Sequence, residues 1–126
     1  MKPAIVLVDH GSRRAEANRT LEEMAALVRA AAPGRVVRAA HMELAAPSVA
    51  EAVDACVAEG AREVVVVPYF LAPGRHSTCD IPRLAREAAA RHPGVAVRVA
   101  EPLGAHPKLA ELVLERATDR AGGERS

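Results

Sequence analysis

An α/β protein built on a four-stranded parallel sheet is what this sequence predicts, and three observations predict it. Short apolar, β-branched runs recur at Ala4 to Val8, Arg35 to Ala39, Glu63 to Val67 and Val95 to Val99. Alanine-rich stretches lie between them, with apolar residues at helical spacing. The strands are apolar almost throughout, as in "VVVV" at 64–67, which fits strands covered on both faces rather than a sheet with one wet side.

Taken in order, the first strand ends on the polar stretch "DHGSRR" (9–14), and the first helix follows with Leu21, Met24, Ala25 and Val28 at i, i+3, i+4 and i+7. The turn "APGR" (32–35) places a glycine near that helix's C-terminus and leads into the second strand. "HMELAAPS" (41–48) precedes a second helix carried by Val49, Ala52, Val53 and Cys56, and "EGAR" (59–62) returns to the third strand. The next connection, "PYFLAPGRHSTCDIP" (68–82), exceeds the roughly two to six residues usual for such units, the mark of a binding loop. Ile81, Leu84, Ala85 and Ala88 define the third helix, with Pro82 suited to its first turn and Asp80 placed to cap it. "HPGV" (92–95) opens the fourth strand, and Leu109, Leu112 and Val113 supply the apolar face of a last helix. Right-handed crossovers through this βαβαβαβα order give strand order 2-1-3-4. We expect a single domain over residues 1–120 and a polar tail at 121–126.

Composition excludes several functions. Half of the residues are hydrophobic, 26% are charged and the formal net charge is +1, so disorder and a generally basic nucleic-acid surface are both ruled against. Tyr69 and Phe70 are the only aromatic residues, too few for a base-stacking platform. The apolar start is too short to span a membrane and lacks a cleavage region, and Cys56 and Cys79 form neither a CxxC pair nor a disulfide framework. These features predict a cytoplasmic protein with reduced thiols.

In an open parallel sheet, ligands bind beyond the carboxyl ends of the strands, where the strand order reverses. For order 2-1-3-4 that point lies between strands one and three, and three strand ends deliver His10, Glu43 and His76 to the same rim. Imidazole with carboxylate suits a divalent transition metal. No Walker A or GxGxxG motif is present, so no nucleotide is expected; Gly11 and Ser12 offer an anion cradle ahead of the first helix. Ordinary readings stand beside each residue. His10 also reads as a turn residue, His76 as a solvated loop histidine, and Glu43 as a cap for the helix near Ser48. His41 is a further ligand or a side chain facing solvent. Asp9 either orients His10 or is an exposed charge at a strand end. Cys79 reads as incidental, because a soft thiolate would hold a metal too tightly for transfer. His92 and His106 read as structural or solvated.

"LVDHGSR" (7–13), "MELAAPSV" (42–49), "VVVPYFLAPGRHSTCDIP" (65–82) and "EPLGAHPKLAELV" (101–113) together resemble the sirohydrochlorin cobaltochelatase family in its short form, over roughly residues 4 to 115. The resemblance implies a flavodoxin-like, chelatase-like three-layer sandwich. It implies a class II chelatase that inserts a divalent metal into the tetrapyrrole sirohydrochlorin without ATP, for cobalamin or sirohaem synthesis. Cobalt is the expected metal, with iron and nickel as alternatives. It further implies that His10 and His76 handle the metal, that Glu43 is the acidic partner, and that short chains pair as homodimers in place of two tandem domains.

Insertion requires two pyrrole N–H protons to leave as the ion arrives. His10 and His76 are therefore expected to deliver metal, accept protons or do both, with Glu43 as ligand or base. Against a flat ring edged by carboxylates, Tyr69, Phe70 and Leu71 offer an apolar wall. Ser12, Arg13, Arg14 and Arg75 offer polar and cationic contacts. A non-catalytic metal or tetrapyrrole carrier, and a flavodoxin-like module binding a small anion, are the rival functions.

Overall fold

Valine and alanine runs pair into one parallel sheet from β1 (Ala4–Asp9), β2 (Val37–His41), β3 (Glu63–Pro68) and β4 (Ala96–Val99), in the order β2-β1-β3-β4. The helices are α1 (Ala15–Ala31), α2 (Val49–Ala58), α3 (Ile81–Ala90) and α4 (Pro107–Thr118), and a π-helical turn at His76–Asp80 runs into α3. The computed structural model describes residues 2–119 and, within them, every side chain except those of His76 and Ser77. The expected tail at 121–126 lies outside the described residues.

Side chains alternate across each strand, so β1, β2 and β3 serve two cores, whereas β4 turns only Val97 and Val99 to a core and leaves Ala96 and Arg98 exposed. On one face Val6, Val8, Ala40, Val64 and Val66 pack with Val53 and Cys56 of α2 and with Ile81, Ala85 and Ala88 of α3. On the other, Leu7, Val37 and Ala39 pack with Leu21 and Ala25 of α1. Burying one such valine or leucine stabilises the fold by roughly 1.5–3 kcal/mol. Cys56 belongs to this interior as a small hydrophobe, and burial pushes its thiol up to about 11.

Three local expectations change. The second strand runs Val37–His41 rather than Arg35–Ala39, because the ladder sets Ile5 opposite Val37 and Asp9 opposite His41. A two-residue offset keeps every side chain on its own face, so the apolar pattern alone does not register it. Asp80 occupies the cap position of α3 but makes no side-chain capping hydrogen bond; the π turn enters the helix directly with Asp80 already helical. The apolar face of α4 exists but none of the helix is buried: Leu112, Val113 and Leu114 are 40%, 65% and 67% exposed. Leu109, Leu112 and Val113 instead line an apolar groove of about 550 Å³ with Tyr69, Leu71 and Leu103. Among the described residues no helix is long and apolar enough to cross a membrane.

Candidate metal site

β1 and β2 end together, with Asp9 and His41 as the last paired residues of their ladder. The chains stay joined beyond that rung: Met42 N–H donates to the Asp9 carbonyl at 3.0 Å, and Glu43 N–H donates to the His10 carbonyl at 3.2 Å. This clasp sets His10 Nε2 and Glu43 Oε2 3.3 Å apart, with side chains 47% and 57% exposed. Gly11 makes the approach possible. Its φ is +96°, and a Cβ there would sit 1.9 Å from the Glu43 carbonyl oxygen. Only glycine meets both demands.

The spacing suits one ion. Nitrogen and oxygen ligands each bind such metals at roughly 2.1 Å, so two donors subtending about 90–109° lie roughly 3.0–3.4 Å apart. Among the described residues no group of three His, Cys, Asp or Glu side chains converges on a metal-sized position. Two N/O donors open to solvent hold a metal far more loosely than a closed structural cage. The ordinary reading of Glu43 as a helix cap does not hold. Ser48 caps α2 itself, in a reciprocal pair with Glu51: Glu51 N–H donates to Ser48 Oγ at 3.1 Å, and Ser48 N–H to Glu51 Oε1 at 2.8 Å.

His41 and Asp9 correct two further expectations. His41 is 1% exposed, so it does not face solvent, and its Nδ1 lies 2.6 Å from Asp9 Oδ1. Asp9 is thus partnered with His41 and is not a bare charge at the strand end.

Ser12 is drawn into its own loop. Its Oγ accepts the Arg14 N–H at 3.0 Å, and Asn18 laces its backbone through Ser12 N–H to Oδ1 at 3.0 Å and Nδ2–H to the Ser12 carbonyl at 2.7 Å. One N–H expected to meet an anion is therefore already taken. Arg13 and Arg14 are exposed, and Arg14 reaches Glu16 at 3.2 Å.

On the β3 side, Tyr69 N–H donates to the Val8 carbonyl at 2.7 Å, which fixes Tyr69 beside the end of β1. Tyr69 and Leu71 line the apolar groove. Phe70 does not join them: it packs against the α2–α3 core, while its carbonyl accepts the N–H groups of Leu103 and Gly104. Arg75 is exposed. The backbone of His76 begins the π turn, and its side chain lies outside the described residues. Cys79 is an exposed free thiol. His106 caps α4, accepting the Lys108 N–H at 3.1 Å, and His92 pairs with Asp54, so both are structural.

Sequence reading missed the Asp9–His41 pair and the demand on Gly11. The signal was there in principle, since parallel register sets the two polar strand ends side by side.

A parallel α/β sheet with a half-exposed imidazole–carboxylate pair at its carboxyl rim, beyond the ends of β1 and β2, is an α/β arrangement that can bind a ligand there. The chain belongs to the CbiX family, whose model matches residues 4–120. It is similar to the chloroplastic sirohydrochlorin ferrochelatase of Arabidopsis thaliana, at 46% identity over 112 residues, covering 89% of this chain and 50% of that protein. It is also similar to the sirohydrochlorin cobaltochelatase of Methanopyrus kandleri, at 33% identity, covering 96% of this chain and 99% of that one. The crystal structure of a CbiX protein from Marinobacter aquaeolei VT8 superposes with a TM-score of 0.80 at 34% identity, covering 99% of this chain and 100% of that one. The chain thus spans half the length of the Arabidopsis relative and nearly all of the Methanopyrus one.

Proposed function

We propose that this protein inserts a divalent metal into sirohydrochlorin without a nucleotide. The observation that carries the reading is the His10–Glu43 pair, 3.3 Å apart and half exposed at the sheet rim. His10 Nε2 and Glu43 Oε2 hold the incoming ion as it sheds water. As the ion passes into the ring, two pyrrole N–H protons leave, and an imidazole and a carboxylate accept them. Their exposure lets those protons pass on to water. His76 adds a donor from the loop after β3. Arg13, Arg14 and Arg75 meet the carboxylate arms, and Tyr69 and Leu71 face the apolar body of the ring. The exposed face of α4 suits a second copy of the chain, which supplies by homodimerisation the other half of a relative twice as long. The proposed setting is the cytoplasm.

Cobalt is the proposed metal, because the Methanopyrus relative of matching length is named for cobalt. Iron is the second reading, favoured by the 46% identity to a relative named for iron. The test is the visible absorbance of metal-free sirohydrochlorin with Co²⁺ or Fe²⁺, with and without the protein. Multiple-turnover conversion to the metallated spectrum, lost in His10→Ala and reduced in Glu43→Gln, is the expected result. A single spectral shift in proportion to protein would instead identify a carrier.

A further inference from the structure

We infer that Asp9 and His41 are a positioning pair, a buried hydrogen-bonded rung that sets the separation and aim of His10 and Glu43. The inference rests on the metal-insertion reading above. The first observation is burial. His41 is the one buried polar side chain among the described residues, at 1% exposure. A ring nitrogen taken out of water costs free energy unless it is bonded, and Asp9 Oδ1 at 2.6 Å bonds Nδ1.

The second observation is placement. Asp9 directly precedes His10, and His41 stands two residues before Glu43. The pair is the final rung of the β1–β2 ladder, and the backbone bonds from Met42 and Glu43 to the carbonyls of Asp9 and His10 rest on it. The third is tight packing beside the base of the His41 side chain. A Cβ on Gly11 would lie 3.2 Å from His41 Cβ and 1.9 Å from the Glu43 carbonyl oxygen, so the loop, the His41 Cβ and the Glu43 backbone share one confined space. A tilt of His41 is passed to the Glu43 backbone, and a shift of Asp9 to His10. Neither residue needs to touch the metal. Outer partners bonded directly to a metal ligand are worth about 10- to 100-fold in metal affinity or activity, and a pair that acts through the backbone belongs at the lower end of that range.

The test is Co²⁺ titration of the full chain, followed by visible absorption, beside turnover with sirohydrochlorin and the melting temperature of each variant. His41→Leu keeps similar bulk without the ring N–H. His41→Asn keeps an N–H on the same δ position. We expect His41→Leu to weaken Co²⁺ about 10-fold or more and lower kcat alike, with KM for sirohydrochlorin within about 2-fold, and His41→Asn to restore most of the loss. The double variant Asp9→Ala/His41→Leu removes the unpartnered carboxylate as well as the bond. It should melt higher than His41→Leu alone while its Co²⁺ affinity stays low. Affinity that instead follows melting temperature across the set overturns the inference, because it assigns the pair a purely structural role. Unchanged Co²⁺ affinity in His41→Leu overturns it too. A wild-type Co²⁺ band that vanishes in His10→Ala, without turnover, overturns metal insertion alone and leaves the pair judged by affinity. No Co²⁺ band in the wild type overturns both.

Discussion

Two histidine–carboxylate contacts near the surface use the same groups in opposite settings, one part-buried and one half-exposed. At the seam between α2 and α3, Asp54 receives Arg91 Nη2 at 2.6 Å, Arg91 Nε at 3.2 Å and His92 Nε2 at 2.5 Å. The Arg91 guanidinium first, and His92 second, hold the Asp54 carboxyl below the usual carboxylate range. That carboxylate takes three donors, and the arrangement ties the C-terminal end of α3 to the middle of α2. At the rim, His10 and Glu43 stand 3.3 Å apart on two loops clasped by backbone bonds. Among the described residues His10 is the basic side chain paired with that carboxylate, at the spacing that one shared ion requires. Residue type does not separate a structural salt bridge from the proposed metal site; the number of donors on the carboxylate and its exposure do.

The contrast is broken most sharply by paired alanine variants. His10→Ala should lower turnover by about 100-fold or more, beyond the range typical of outer partners. His92→Ala should leave it within about twofold, read in the same absorbance assay. Comparable losses in both would erase the distinction.

A smaller effect is expected from the backbone of the rim. Gly60→Ala, in the turn between α2 and β3 away from the rim, should cost only the left-handed strain of roughly 1–2 kcal/mol, since nothing lies within 4 Å of its Cβ position. Gly11→Ala should cost more, since its Cβ meets the Glu43 carbonyl, and should lower Co²⁺ affinity as well. Urea unfolding of the two variants checks the order.

Leu112→Glu with Val113→Glu should break the proposed dimer into monomers in sedimentation, while the stability of the subunit moves by no more than about 0.5 kcal/mol, both residues being exposed. The mildest effect belongs to the seam. Because the Asp54 carboxyl is lowered on folding, its contribution is present above the ordinary unfolded value near 3.8 and fades as pH falls below it toward the folded one. Asp54→Asn should therefore flatten the acid limb of the melting curve below about pH 5 and leave turnover at neutral pH unchanged.

Much of this was legible in the sequence. The alternation of valine runs with helical spacing carried the sheet order, because buried parallel strands and right-handed crossovers leave few arrangements. His10 and Glu43 were placed on one rim by strand order alone. His41 escaped because its strand ends two residues later than the apolar run suggests, which turns a residue beyond the sheet into its last rung. Phe70 escaped because adjacent residues at a strand end point opposite ways, so only Tyr69 and Leu71 of the aromatic stretch reach the groove. The α4 face read correctly as apolar, but periodicity does not say whether such a face is covered by its own chain.

The most direct measurement is the position of the ion itself, from anomalous scattering at the cobalt edge in crystals soaked with Co²⁺. The account predicts a peak roughly 2.1 Å from both His10 Nε2 and Glu43 Oε2. A peak at the Asp54–His92 seam, or none at the rim, would contradict it.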